Sequence, residues 1–189
     1  MIQIRTAEEI EILRENNLLV SKTLGELEGW IAQGITTDKL DKIAYEFICD
    51  NGAKPGFLGF HGYPKTLCTS VNEQIFHGIP SAYRLREGDI ISIDCGVLKN
   101  DYYGDTAYTF AVGSISEEKN KLLQTTLKSL YLGIKQAKEA ATERTGCPKY
   151  LRDRQVGDPA GEPIEATEGQ AQSDYFLDAF RDMPNGRPK

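Results

Sequence analysis

The run from Asp89 to Gly113, DIISIDCGVLKNDYYGDTAYTFAVG, restricts the fold more than any other part of this chain. Ile90 to Leu98 and Asp101 to Val112 are rich in β-branched and aromatic residues, and Lys99-Asn100 lies between them, which predicts an antiparallel hairpin. With those two residues as the loop, Leu98 faces Asp101 and Asp94 falls directly opposite Asp105. Opposed side chains in such a pair have Cβ atoms ~4.5–5.5 Å apart, and like charges there are destabilising. At ~5 Å and an effective dielectric of ~20 the repulsion is about 3 kcal/mol, a large share of a small domain's stability. Apolar residues flank both aspartates, so the sheet is expected to be covered on both faces and a cation to sit between the carboxylates. A divalent metal is the simplest candidate. The alternative is an exposed face on which both side chains are solvated.

The elements around the hairpin read as helices. Thr6 to Glu9 is a capping box, and Ile10, Leu13, Val20, Leu24, Leu27 and Ile31 follow at spacings of three, four or seven, giving one apolar stripe that should stop near Gly34. Thr36-Thr37 caps a second helix with Leu40, Ile43, Ala44, Phe47 and Ile48 on one face, ended by Asn51-Gly52. After the hairpin, Ser114 to Glu118 opens a third helix with Leu123, Leu127, Leu130, Tyr131, Ile134 and Ala137, running to about Ala141. Core packing is the expected role of all three stripes, and of Trp30. Thr66 to Asn72 and Gln74 to Phe76 read as short strands.

Between the second helix and the hairpin, KPGFLGFHGY (54–63) mixes three glycines with three aromatics, a composition that suits a loop lining a site. The chain has two histidines, His61 and His77, and both lie in this region. Each is either a satisfied polar group or part of the same site as the aspartates.

Bulk properties narrow the function classes. The net charge of −6 comes with no basic stripe, which argues against nucleic acid as the partner. Cys49, Cys68, Cys95 and Cys147 are widely separated and read as free thiols of a reducing compartment. No signal-like or membrane-spanning apolar run is present, so the cytoplasm is the expected location and no membrane the expected partner. From Glu143 the last 47 residues hold five glycines and five prolines and no histidine, and they are expected to form an irregular tail. Within it, Ser173 to Asp182 could make a short amphipathic turn.

The segments GFHGYPKTLCTSVNEQIFHGIP and REGDIISIDCGVLKNDYYGDTAYTFAVG closely resemble the type I methionine aminopeptidases of bacteria. The likeness covers roughly residues 1 to 140. It implies an α/β (α+β) fold, the N-terminal half of a pita-bread architecture with an antiparallel sheet covered by helices, as a truncated domain over 1–141 followed by a divergent tail over 142–189. The resemblance makes Asp94 and Asp105 metal ligands, with Asp105 bridging two ions. It makes His77 the histidine that contacts substrate near the scissile peptide, a catalytic role, and His61 a second histidine on the rim. Phe57, Phe60, Tyr63 and Cys68 fall where the family lines its methionine pocket.

The implied activity is metal-dependent hydrolytic removal of N-terminal methionine from nascent proteins, with two divalent ions (Co, Mn, Fe or Zn) as cofactors and N-terminal peptides as substrates. A two-metal centre acidifies a water and polarises the carbonyl, as cleavage of an unactivated peptide demands. The family's other ligands, one histidine and two glutamates, come from its second half, and no histidine follows His77 in this sequence. The expectation is therefore weak or incomplete metal binding and little activity, with a catalytically silent, peptide-binding or interaction half as the alternative. The abrupt loss of pattern near Ala141 predicts a frame shift or another truncation as the origin of the tail. An uncovered sheet face would favour self-association.

Overall fold

The structure, a computed structural model, describes residues 5–142. These form helix α1 (Ala7–Glu28), helix α2 (Thr37–Asp50), a two-residue strand β1 (Lys54–Pro55), a 3-10 turn (Phe60–Gly62), strands β2 (Leu67–Val71), β3 (Ile90–Lys99) and β4 (Tyr102–Ala111), and helix α3 (Glu117–Thr142). They fall into two compact units, 5–119 and 120–142, and everything that positions the candidate site belongs to the first.

The helix starts are dictated locally. Thr6 and Glu9 make the reciprocal capping box expected of them, with Glu9 N–H donating to the Thr6 hydroxyl at 3.2 Å and Thr6 N–H to the Glu9 carboxylate at 2.8 Å. Thr36 caps α2 through Lys39 N–H at 3.2 Å, and Ser116 caps α3 through Lys119 N–H at 3.2 Å. Helix α1 ends at Glu28, before the expected Gly34, where its ladder tightens into bonds three residues back, Gly29 N–H to the Glu26 carbonyl at 3.2 Å and Trp30 N–H to the Leu27 carbonyl at 2.9 Å; Gly34 N–H donates to the Leu85 carbonyl at 2.8 Å. Trp30, expected in the core, is 47% exposed and donates to Glu26 at 3.1 Å. In α3 the expected apolar stripe is buried at Ile134, whereas Leu127, Leu130 and Tyr131 are exposed.

All strand pairs are antiparallel. Strand β3 is central: β4 pairs along one whole edge, while β2 (opposite Ile91–Cys95) and β1 (opposite Val97–Leu98) share the other. Residues 74–76, expected as a strand, form none, because the chain turns at Asn72-Glu73 and Gln74 folds back to accept from Val71 N–H. The hairpin loop is Asn100-Asp101, one residue later than expected. Both have positive φ, 52° and 64°, as a type I′ turn requires, and Lys99 pairs with Tyr102.

Odd-numbered residues of β3 face the helices. Ile91, Ile93, Cys95 and Val97 meet Val20, Leu24 and Leu27 of α1 and Leu40, Ala44 and Ile48 of α2 in a single cluster. A fully buried aliphatic side chain contributes roughly 1.5–3 kcal/mol, so this layer is the main support of the fold. The opposite face, expected to be covered as well, is partly open: Tyr103, Asp105, Ala107 and Ala111 are exposed and Asp94 is half-buried. Thr142, expected to begin the tail, is the last residue of α3. The remainder of that tail, with Cys147 and 173–182, lies outside the described residues.

Candidate metal centre

The one-residue shift of the hairpin loop changes how the two aspartates meet. Asp94 lies opposite Ala107 and Asp105 opposite Gly96, so the carboxylates are diagonal neighbours on the same face. Diagonal positions are ~7–8 Å apart at Cα, still within reach of side chains that lean toward each other. Those of Asp94 and Asp105 do lean together to within hydrogen-bonding reach, close enough that ionising both is disfavoured. Burial, and then the charge of Asp105, push the Asp94 carboxyl up to about 7. Burial likewise raises Asp105. As a residue Asp105 is exposed, yet its carboxyl is crowded by protein atoms.

Neighbouring residues on that face come from all the strands. Gly96 has no side chain, and a Cβ there would lie 2.5 Å from the ring carbon Cε1 of Phe57, so the Phe57 ring fills the space directly across from Asp105. Cys68 of β2 sits opposite Asp94. Its thiol is raised first by burial and partly offset by a hydrogen bond with the Tyr63 hydroxyl. Tyr63 also donates to the Leu67 carbonyl at 2.9 Å, and burial raises its own phenol. Asp41 of α2 anchors the start of β2 by accepting Thr66 N–H and Leu67 N–H, both at 2.8 Å. One pair further along the same face, Leu98 and Tyr103 line a cavity of about 490 Å³ together with Tyr45, Leu58 and Phe60.

The residues singled out from sequence are thus divided. Asp94, Asp105, Phe57, Tyr63 and Cys68 converge, and Phe60 belongs to the adjoining cavity. His61, at φ 46°, is exposed and packs edge-on against Phe60 at 4.4 Å between ring centroids. His77, at φ 56°, is exposed and packs against Phe76 at 4.8 Å. Its neighbour Gly78 is bound to the outer edge of β2, accepting Thr69 N–H at 2.7 Å and donating to Ser70 Oγ at 3.2 Å. That delivers His77 to the strand edge beyond Cys68.

Two adjacent carboxyl groups on one face are the oxygen donors a hard or borderline divalent ion takes, so Asp94 and Asp105 fit two positions of such a site. Among the described residues no third His, Cys, Asp or Glu joins them in a metal-holding cluster. Sequence reading passed over Asn16 and Asn17 of α1, which reach the hairpin: Asn16 Nδ2 donates to the carbonyls of Lys99 (2.9 Å) and Tyr102 (2.7 Å), and Asn17 Oδ1 accepts Asp105 N–H at 3.1 Å.

The chain is 47% identical over 137 residues to a methionine aminopeptidase of Clostridium perfringens, covering 72% of this chain and 55% of that one. It is 47% identical over 138 residues to methionine aminopeptidase 1 of Bacillus subtilis, covering 73% and 56%. The crystal structure of methionine aminopeptidase from Rickettsia prowazekii superposes with a TM-score of 0.70 at 34% identity, over 71% of this chain and 54% of that one. The chain therefore spans about half the length of the curated relatives it matches, and the helices and four-stranded sheet are the first half of a pita-bread fold. The sequence pattern of metallopeptidase family M24 matches residues 11–145, and with the aspartate-bearing hairpin at its centre the chain belongs to that family.

Proposed function

We propose that this chain carries the first half of a methionine aminopeptidase centre, and that the complete centre removes N-terminal methionine from nascent proteins. The observation that carries this reading is the Asp94–Asp105 pair, two carboxyls brought together as diagonal neighbours on the open face of the sheet, where burial and mutual repulsion raise the Asp94 carboxyl. Asp94 and Asp105 would hold the divalent ions, of Mn, Co, Fe or Zn type, which supply Lewis acidity when bound. His77, which Gly78 holds beside β2, would take the family role of contacting the substrate near its scissile peptide. Phe57, Tyr63 and Cys68 shape the apolar ground beside the carboxylates, with His61 and Phe60 at the rim, and a surface of that kind favours an uncharged first side chain. The domain over 1–141 and the divergent tail over 142–189 belong to the same proposal, supported by the family match ending at residue 145. A cytoplasmic location goes with it, supported by the free thiols of Cys49, Cys68 and Cys95.

A second reading, a peptide-binding module without catalysis, is favoured by the adjoining cavity, where Leu58, Phe60 and Tyr103 offer exposed apolar surface. Calorimetric titration of the chain with Mn²⁺ or Co²⁺, repeated on Asp105→Ala, separates the two. Stoichiometric binding that the substitution abolishes supports the metal centre. Binding of a Met-Ala-type peptide that the substitution leaves intact, with no metal uptake, supports the module. Efficient release of methionine by the chain alone would overturn the view that it holds half a centre.

A further inference from the structure

We propose that Asn17 is a positioning residue for Asp105, with Asn16 fixing the register on which that position depends. The inference rests on Asp94 and Asp105 forming the candidate centre described above. Both asparagines are almost wholly buried, at 0% and 3% exposure, on a helix face that is otherwise core. A buried amide is costly unless it is bonded, so its partners show what it is there to hold.

Asn16 Nδ2 spans the neck of the hairpin, bonding the carbonyl on each side of the Asn100-Asp101 loop. Those carbonyls come together only when Lys99 pairs with Tyr102. Moving the two-residue loop to Lys99-Asn100 would set Asp105 directly opposite Asp94, and slipping β4 alone by one residue would turn Asp105 to the core face, so the Asn16 bonds select the register that makes the carboxylates diagonal neighbours on the open face.

Asn17 acts on the ligand itself. Gly96 and Asp105 form a pair whose backbone amides point away from each other, leaving Asp105 N–H directed out of the sheet edge. Asn17 Oδ1 accepts it, and the other end of the same amide is secured by a bond from Nδ2 to the Leu13 carbonyl at 2.8 Å. The acceptor is therefore held in one orientation. Among the described residues, Asp105 N–H is the outward amide of β4 that a side chain from α1 accepts. Gly104 makes this reach feasible: a Cβ there would lie 2.7 Å from the Asn16 carbonyl carbon, so the helix approaches the strand as closely as its own backbone allows. With the peptide preceding Asp105 fixed, the direction of its Cα–Cβ bond is fixed, and so is the placement of its carboxyl against Asp94.

The test is NMR on the full isotopically labelled chain, comparing the native sequence, Asn17→Ala, Asn17→Asp and, as a control for general loosening of α1, Leu24→Ala. In Asn17→Ala the Asp105 amide should exchange faster, the carboxyl carbons of Asp94 and Asp105 should shift, and the affinity for Mn²⁺, read by paramagnetic broadening at both residues, should fall about 10-fold or more. Asn17→Asp keeps an acceptor oxygen and should retain slow exchange at Asp105, and it carries the comparison if the alanine variant does not fold. Leu24→Ala should leave the carboxyl carbons and the affinity of the folded chain unchanged. Unmoved carboxyl carbons in Asn17→Ala, the same shifts in Leu24→Ala, or fast exchange in Asn17→Asp would each overturn the proposal. If the native chain shows no response to Mn²⁺, the metal-centre reading fails, and the carboxyl-carbon comparison alone decides whether Asn17 positions Asp105.

Discussion

The two faces of strand β3 obey different rules. Ile91, Ile93, Cys95 and Val97 point toward α1 and α2 and are wholly buried, whereas Ser92, Asp94, Gly96 and Leu98 point the other way into a layer that is polar and partly open. The first face is held by area, which is tolerant of detail. The second is held by particular bonds: Ser92 to the Thr109 hydroxyl at 2.7 Å, Asp94 to Asp105, and Cys68 to Tyr63. In this chain the apolar side supplies stability and the other side uses part of it to keep two like carboxyls together.

The sharpest way to break that contrast is a pair of truncations. Leu24→Ala on the core side should cost about 2–5 kcal/mol in urea unfolding, as cavity-forming changes do. Leu98→Ala on the open side should cost well under half as much, and equal losses would mean the two faces are packed alike. Next in size, Gly104→Val should destabilise by about 1–3 kcal/mol or more, because the new side chain has the α1 backbone in its way. A tolerated valine would show that the helix can back away from β4.

Protonation gives a smaller and more specific effect. The Asp94 carboxyl is raised from its ordinary value to about 7, so between those two pH values the folded chain keeps a proton that the unfolded chain has released. Its stabilising contribution is complete below the unfolded value near 4 and disappears as pH rises through 7. The metal-free chain should therefore lose Tm between pH 5 and pH 8, and Asp94→Asn, which keeps a hydrogen-bonding side chain but cannot ionise, should lose less. A steeper loss in Asp94→Asn would put the pH sensitivity elsewhere. Smallest of all, Tyr103→Ala at the cavity mouth should change stability by no more than about 0.5 kcal/mol. If it instead abolishes peptide binding, the cavity rather than the carboxylates is the functional surface.

How far the sequence foretold this arrangement follows the same division. The helices, their caps and the hairpin were legible because periodicity and capping are local properties, visible in a run of residues. The hairpin register was missed by one residue, since Lys99-Asn100 and Asn100-Asp101 are both plausible loops and only the left-handed backbone at Asn100 and Asp101 decides between them. Coverage of the sheet was overestimated because apolar neighbours of Asp94 in the chain point to the face that Asp94 does not share. The asparagines were passed over for a related reason. The stripe of α1 jumps seven residues from Leu13 to Val20, and Asn17 stands in that gap, on the buried face where a leucine would fit the pattern. A polar residue interrupting an apolar stripe was the available signal, but its partners lie on strands that no local pattern connects to it.

That remoteness bears on how the chain is made. Asn17 and Asp105 are 88 positions apart, and the bond between them closes a loop containing most of the described chain. Closing such a loop is among the slower steps available to a small domain, since its entropy is lost before its contacts are gained. During synthesis α1 must wait for the hairpin to leave the ribosome before the carboxylates can be set. Anything that occupies the asparagine face in that interval, a chaperone or a neighbouring nascent chain, would delay maturation of the site without touching either aspartate.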